Sequence, residues 1–205
     1  MNEFDIKASN WDDNPMHWDR SKAIAEEILQ IIPLKSSMNA LEFGAGTGIL
    51  SFMLKDYLKE IILMDNSIEM IKMIDAKIEK STVSNLKTIH FNLENEEFNG
   101  MKFDFIFTQM VLHHVEDVER ILSKFSGLIK TNGYVAIADL YKEDGSFHDA
   151  EFNGHKGFEV EYLSKLLAKE GFKNISHNQC FVINRPLPDG STKQFPIFLL
   201  TANKV

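Results

Sequence analysis

Residues 41–50 read Leu-Glu-Phe-Gly-Ala-Gly-Thr-Gly-Ile-Leu, a short apolar segment with one acidic residue and then three glycines that alternate with small residues. Glycine lacks the side chain that would hold a ligand away from the backbone. A helix that begins directly after such a turn also directs its free N–H groups into the same space. The segment therefore predicts the nucleotide-binding turn that follows the first strand of a doubly wound α/β domain.

Strand and helix patterns alternate on both sides of this turn. Helices are predicted from Pro15 to Pro33, at residues 49–58, after the capping box at residues 66–69, and at residues 118–128. Strands that read as buried on both faces indicate a parallel sheet with helices on either side. They are predicted at residues 38–43, 61–64, 86–91, 103–107 and 134–138, the last after a turn at Asn132-Gly133.

The last third of the chain adds one helix and two strands. A helix at residues 160–169 is closed by Gly171, and strands are predicted at residues 172–183 and 195–202. The loop between these strands is too short for a crossover helix, so the two should be antiparallel neighbours. The predicted fold class is α/β: a doubly wound, Rossmann-like and mostly parallel sheet with a C-terminal antiparallel hairpin strand and helices on both faces.

Composition limits the classes of function. The chain has 205 residues, 44% hydrophobic and 25% charged, as expected of one globular domain over residues 1–205. A net charge of −8 without a basic block argues against nucleic acid as the partner. We expect no membrane segment and no signal peptide, so the expected location is cytoplasmic. The single Cys180 excludes a Cys-based zinc site, and no pattern indicates an oligomeric state.

Two features suggest which nucleotide is bound. The glycines follow G-x-G-x-G, whereas the dinucleotide fingerprint is G-x-G-x-x-G, and a purely structural turn is the alternative. Asp65 ends the second strand, where a carboxylate can accept hydrogen bonds from both ribose hydroxyls. Its alternative role is to cap the following helix.

Leu41–Leu50, Asp65, Asn92-Leu93 and Phe103–Asp117 together resemble the class I S-adenosylmethionine-dependent methyltransferases, in the small-molecule branch called type 11 or 12. The resemblance implies a cofactor-binding core at residues 38–140, a lid and helix at residues 1–33, and substrate-side loops with the terminal hairpin at residues 141–205. The cofactor would be S-adenosylmethionine. The cofactor-binding residues that it implies are Glu42, Gly44, Ala45, Gly46, Gly48, Asp65, Asn66, Asn92, Leu93, Thr108 and Gln109.

Each of these positions has an implied contact. The loop would support the methionine part, with Glu42 orienting its amino group, and the strand carbonyls of Thr108 and Gln109 would lie beside the amino group and sulfonium. Asn66 would flank the adenine. Asn92 stands where the family often has Asp, which accepts a bond from the adenine amino group. The amide oxygen of Asn92 would accept that bond and the neighbouring backbone N–H at Leu93 would donate to the ring, and a surface turn is the alternative there.

The tandem histidine, His113-His114, is the candidate catalytic element. One imidazole would be bonded to the backbone and the other would serve as a general base, and a wholly structural pair is the alternative. Adjacent histidines in regular structure diverge, and no zinc-ligand spacing is present, so no metal site is expected. The candidate lid and substrate residues are Trp11, Trp18, Tyr141, His148 and His155. The alternatives are that the tryptophans pack against the first helix and that His148 and His155 are ordinary surface histidines.

These features predict methyl transfer to a small-molecule acceptor by in-line displacement, which needs alignment and exclusion of water. Two other functions stay open. One is a cofactor-binding or scaffold domain without catalysis, and the other is a nicotinamide-dependent oxidoreductase. An oxidoreductase would have G-x-G-x-x-G spacing and no terminal hairpin. This sequence has G-x-G-x-G spacing and a predicted terminal hairpin, so it disagrees with the oxidoreductase on both points.

Overall fold

The computed structural model describes residues 3–149, 151–186 and 190–205. These residues form one seven-stranded sheet with the strand order β3-β2-β1-β4-β5-β7-β6. The strands are β1 (Asn39–Phe43), β2 (Glu60–Asp65), β3 (Leu86–His90), β4 (Phe103–Gln109), β5 (Ile129–Leu140), β6 (Phe172–Pro186) and β7 (Thr192–Lys204). The predicted fold class is confirmed.

Strands β1 to β5 pair in parallel, and β7 pairs antiparallel with both β5 and β6. The short loop between β6 and β7 forces the antiparallel pairing, because a parallel return needs a crossover connection. β1 lies between β2 and β4. The strand order therefore reverses beside β1, and in such sheets the crevice at this point binds ligands.

Six α-helices accompany the sheet. Within the described residues they are α1 (Glu3–Lys7), α2 (Pro15–Ile31), α3 (Ile49–Leu54), α4 (Ile68–Glu79), α5 (Val118–Leu128) and α6 (Val160–Lys169). Asn14 caps α2 by accepting a hydrogen bond from the Met16 N–H at 3.1 Å, and Pro15 occupies the first helical position. Ser67 caps α4 in the same way, through the Met70 N–H at 3.2 Å. No described helix combines the length and the apolar character that crossing a membrane requires.

Apolar side chains cover both faces of the sheet. One cluster includes Phe103, Leu122 and Phe125, and the other includes Ile24, Leu50 and Phe107; each of these six side chains is at most 1% exposed. Because both faces are covered, β4 reads as a nearly continuous apolar run instead of an alternating one.

Three local predictions differ from the structure. α3 ends at Leu54 and continues as a 3-10 turn over Lys55–Tyr57. The bend at Asn132, where φ is 65°, lies inside β5 as a register shift and not before the strand. The polar N-terminus, for which no element was predicted, forms α1 and a 3-10 turn over Ala8–Asp13.

Candidate functional site

A cavity of about 550 Å³ lies at the carboxyl edge of the parallel strands, beside the point where the strand order reverses. The ends of β1 to β4 and the loop after β5 contribute to its wall, and the N-terminal segment covers it. Among the sequence-predicted residues, the cavity brings together Trp11, Gly44, Ala45, Gly46, Asp65, Asn66, Asn92, Leu93, Gln109, His113, His114 and His148. Predicted residues that do not line it are Trp18, Glu42, Gly48, Thr108, Tyr141 and His155.

The three glycines of the loop meet three different surroundings. A Cβ on Gly44 would lie 2.4 Å from Cγ2 of Val111, and one on Gly48 would lie 2.9 Å from Cδ2 of Leu63. A Cβ on Gly46, where φ is 56°, would meet no atom within 4 Å. A side chain at Gly44 would collide with Val111 and one at Gly48 would displace the end of the Leu63 side chain, whereas Gly46 leaves open space at the cavity wall.

Glu42 lies beneath the loop and is fully buried. Its Oε2 accepts a hydrogen bond from the Ser51 hydroxyl at 2.5 Å, and its Oε1 has no hydrogen-bond partner among the described residues. Burial raises the pKa of Glu42 to about 8, so the carboxyl is mostly protonated at neutral pH. This side chain supports the loop from below, and its contact with a cofactor amino group stays a prediction.

Asp65 joins the glycine loop to the start of α4. Its Oδ2 accepts a hydrogen bond from the Gly46 N–H at 2.7 Å, and its Oδ1 accepts one from the Ser67 N–H at 2.8 Å. Burial raises the pKa of Asp65. Each carboxylate oxygen has two lone pairs, so the group can accept further bonds from a ligand in the cavity. Asp65 thus lines the cavity and forms a turn just before α4, whereas the cap of that helix is Ser67.

The ends of β3 and β4 supply further predicted residues. Oδ1 of Asn92 accepts a hydrogen bond from the Glu94 N–H at 3.0 Å, so Asn92 forms a local turn at the cavity wall. The Thr108 hydroxyl donates to the Phe43 carbonyl at 2.8 Å and thereby ties β4 to β1, which turns its side chain away from the cavity. Gln109 faces the cavity, where its Oε1 accepts a hydrogen bond from Ser21 at 3.1 Å.

Arg20 lines the cavity, although the sequence reasoning did not identify it. Its side chain is buried, and its Nε has no hydrogen-bond partner among the described residues. Burial lowers the pKa of Arg20 to about 10, so the guanidinium stays charged at neutral pH. The sequence could have indicated Arg20 through its spacing, because it lies four residues before Ile24 and eight before Ile28, on the same buried stripe of α2. A charge on a buried stripe indicates a ligand or a partner.

The N-terminal segment is fastened over the loop by polar contacts. Oδ1 of Asp12 accepts a hydrogen bond from Thr47 Oγ1 at 2.5 Å, and its Oδ2 forms an ion pair with Lys77. Trp11 lines the cavity with its ring stacked on His17, the ring centroids being 4.3 Å apart. Trp18 lies outside, 41% exposed, and donates from Nε1 to the Asp12 carbonyl. Residues 1–2 of the predicted lid lie outside the described residues.

The tandem histidine occupies a 3-10 turn over Leu112–His114. Nδ1 of His113 lies 2.6 Å from Oδ1 of Asp139, and both side chains are buried. Burial and the neighbouring His113 and His148 lower the pKa of His114 to about 3, so its imidazole is neutral at pH 7. The predicted divergence of the two rings is not found, because their ligand atoms and that of His148 all lie within 4.8 Å of one another.

The remaining predicted residues, His155 and Tyr141, lie outside the cavity. The backbone N–H of His155 donates to the His113 carbonyl at 2.7 Å, and the ring Nε2 of His155 lies 3.0 Å from the Val115 carbonyl oxygen. Tyr141 packs edge-on against Phe198 of β7. Residue 150 and residues 187–189 belong to the segment 141–205, which was predicted to form the substrate-side loops and the terminal hairpin, and they lie outside the described residues.

Known proteins resemble this chain over most of its length. The methyltransferase domain family matches residues 16–177. An uncharacterised methyltransferase from Schizosaccharomyces pombe is 31% identical over 167 residues, which cover 74% of this chain and 57% of that protein. The chain spans about half the length of the curated relatives it matches, with 57%, 47% and 52% for three of them.

Solved structures share the fold. A Haloferax volcanii protein, solved in complex with the Trm112 methyltransferase activator, has a TM-score of 0.78 at 18% identity, covering 99% of this chain and 98% of that one. Phosphoethanolamine N-methyltransferase 2 from Haemonchus contortus, in complex with S-adenosyl-L-methionine, has a TM-score of 0.72 at 15% identity, covering 91% and 52%. At these identities the likeness shows the fold alone.

Proposed function

Because the chain belongs to the class I S-adenosylmethionine-dependent methyltransferase family, we propose that it transfers a methyl group from S-adenosylmethionine to a small-molecule acceptor. The observation that carries this proposal is the single cavity that brings the glycine loop and Asp65 together with the histidines after β4 and β5. The groups proposed for the donor and for the acceptor thus line one cavity, which supports methyl transfer between them.

The residues at the donor side fit this cofactor. The open surface at Gly46 admits a ligand against the backbone, and Asp65 offers carboxylate lone pairs to ribose hydroxyls. Arg20 offers a buried guanidinium with an unsatisfied Nε, which suits the carboxylate of the methionine part. When bound, S-adenosylmethionine supplies a methyl group activated by a sulfonium.

The acceptor side is formed by aromatic and imidazole side chains. Phe4 and Phe147 line the cavity together with His114 and His148. Such walls exclude water and hold a partly apolar molecule in position, which is the main requirement of methyl transfer. His114 is neutral at pH 7, so its imidazole, on this side of the cavity, has one nitrogen with a lone pair.

Calorimetric titration with S-adenosylmethionine, S-adenosylhomocysteine and NADH tests the donor. We expect binding of the first two ligands and none of NADH. An Asp65→Ala variant should lose at least ten-fold in affinity for both, since a charged hydrogen-bonding group contributes about 1.5–3 kcal/mol. An Asp75→Ala variant, which removes an exposed carboxylate from α4, is the matched control. Binding of NADH alone would overturn the proposal in favour of an oxidoreductase.

The acceptor is sought by incubation with methyl-labelled cofactor and a metabolite extract, followed by mass spectrometry. A labelled small molecule that forms with the wild type, and not with Asp65→Ala, supports enzymatic transfer. Cofactor binding without any labelled product across such extracts would instead favour a binding domain without catalysis.

A further inference from the structure

Three imidazoles from two loops meet at the acceptor side of the cavity. His113 and His114 come from the turn after β4, and His148 comes from the loop after β5. Their three ligand atoms all lie within 4.8 Å of one another. The ring centroids are 4.2 Å apart for His113 and His114, 5.1 Å for His113 and His148, and 5.3 Å for His114 and His148.

His113 is held in one orientation by a buried carboxylate. Oδ1 of Asp139 lies 2.6 Å from its Nδ1, and Oδ2 accepts a hydrogen bond from the His113 backbone N–H at 3.2 Å. With Nδ1 engaged, Nε2 is the nitrogen that His113 offers to a ligand. A carboxylate on the second nitrogen of an imidazole is the arrangement that orients metal-binding histidines and makes them more basic.

Aromatic packing restrains the other two rings. The ring of His148 stacks on Phe152, with the centroids 3.8 Å apart and the planes 21° apart. The ring of His114 packs edge-on against Phe4 at 5.0 Å and against Phe152 at 5.2 Å. Neither ring is free to rotate far, so the three nitrogens stay near one another at little cost in side-chain entropy.

We propose that His113, His114 and His148 bind a divalent transition metal of the zinc class. The donor set is three imidazole nitrogens, which suits Zn²⁺, Co²⁺, Ni²⁺ or Fe²⁺ and not the oxygen-seeking Mg²⁺ and Ca²⁺. Zn–N bonds of about 2.0–2.1 Å place tetrahedral ligand atoms about 3.4 Å apart, so binding draws the rings inward by roughly 1 Å. The site goes beyond the proposed function, because metal binding requires no methyl transfer.

The charges around the cluster indicate what would complete the coordination. Three protein ligands leave a fourth position toward the cavity, as in catalytic zinc sites. Lys7 and Arg20 line the same cavity, and Asp139 is the carboxylate in contact with His113. An anionic ligand therefore fits best, such as the oxygen or sulfur of an acceptor alcohol, phenol or thiol whose proton has left to water. This choice of acceptor, unlike the site itself, rests on the proposed function.

Metal binding is measured on full-length protein without a polyhistidine tag, after treatment with a chelator. We expect about one equivalent of Zn²⁺ by calorimetry and elemental analysis, and Co²⁺ should give the visible absorption of a tetrahedral nitrogen site. An excess of Mg²⁺ should not displace either metal. Failure to bind Zn²⁺ or Co²⁺ would overturn the proposal.

Variants locate the metal. His148 lies in a loop outside the sheet, so the His148→Ala variant should fold normally, as checked by circular dichroism. We expect this variant to bind Zn²⁺ at least ten-fold more weakly than the wild type. Asp139→Asn should weaken binding by about 10–100-fold by releasing His113. His177→Gln, an exposed histidine on β6, is the control and should bind as the wild type does. Equal affinity in wild type and His148→Ala would mean that the metal binds elsewhere, and would overturn the site.

Cofactor binding is titrated on the same metal-free samples. Protein that binds S-adenosylmethionine and no metal refutes this site and leaves the proposed function intact. Protein that binds metal through His148 and no S-adenosylmethionine refutes the proposed function and leaves the site intact.

Discussion

The hydroxyl of Thr47 donates to Oδ1 of Asp12 across 2.5 Å, and this bond joins the glycine loop to the segment that covers it. Lys77 forms an ion pair with the same carboxylate and donates from Nζ to the Thr47 carbonyl at 2.8 Å. The cover, the loop and α4 are therefore linked through one carboxylate. We therefore expect this link to strengthen the binding of a ligand under the cover.

Asp12→Ala should loosen the cover and weaken cofactor binding. A hydrogen bond to a charged group contributes about 1.5–3 kcal/mol, so we expect roughly a ten-fold rise in the dissociation constant for S-adenosylhomocysteine. The N-terminal segment should also become more sensitive to limited proteolysis. Asp13→Ala removes the same charge from the next, exposed position and serves as the control. Unchanged affinity and proteolysis in Asp12→Ala would show that the link has no role in binding.

Two neighbouring glycines should respond differently to the same substitution. Gly44→Ala places a Cβ against Val111 and should destabilise the fold by about 1–3 kcal/mol, as measured by denaturant unfolding. Adding Val111→Ala should restore part of this loss. Gly46→Ala meets open space, so its stability should fall only by the backbone strain of about 1 kcal/mol, while cofactor affinity falls at least ten-fold. Similar effects of both variants on both measurements would contradict the separation of roles.

Arg20→Met keeps the length of the side chain and removes the charge. If the guanidinium holds the methionine carboxylate, binding of S-adenosylhomocysteine should weaken by about ten-fold or more. Binding of methylthioadenosine, which has no carboxylate, should not change. Equal losses for the two ligands, or no loss for either, would place Arg20 elsewhere in the mechanism.

Glu42 should make stability depend on pH. Burial raises its folded-state pKa to about 8 from 4.5, so between these values the folded chain holds a proton that the unfolded chain has released. The contribution of Glu42 to the free energy of unfolding is therefore greatest below pH 4.5. It falls by about 1.4 kcal/mol per pH unit as pH rises toward 8.

Glu42→Gln removes this titration while keeping an acceptor for Ser51. Relative to wild type, the variant should gain stability as pH rises from about 5 to about 8, as measured by denaturant unfolding at each pH. Glu26→Gln, an exposed change on α2, should follow the wild-type pH dependence. A parallel course of the Glu42→Gln and wild-type curves would show that Glu42 folds in its ionised form.

The fold was largely predictable because hydrophobic periodicity reports local structure. The predicted limits of α5 and α6 agree with the structure, and the terminal hairpin followed from loop length alone. The bend at Asn132 was predicted as a turn because a local pattern cannot show that β5 continues on both sides of it. That continuity depends on pairing with Phe103 and Phe105 of the neighbouring strand.

The residues of the candidate site were predictable where a known sequence motif or spacing marks them. The glycine loop and Asp65 follow known spacings, and both line the cavity. Arg20 and the meeting of His148 with the tandem histidine depend on elements distant in sequence. The sequence pattern also could not show that the side chains of Glu42 and Thr108 bond to Ser51 and Phe43. The predicted ligand contacts of Glu42 and of the Thr108 carbonyl stay predictions.

The origin of the cavity walls has an evolutionary consequence. The side of the cavity that we propose for the donor is formed by the turns after the parallel strands, and packing of the core constrains these turns. The opposite side comes from the N-terminal cover, the loop after β5, and Arg185 near the end of the hairpin strand β6. These peripheral segments can change in length and composition without disturbing the core. Under the proposed function, proteins built on this plan can acquire new acceptors while they keep one donor.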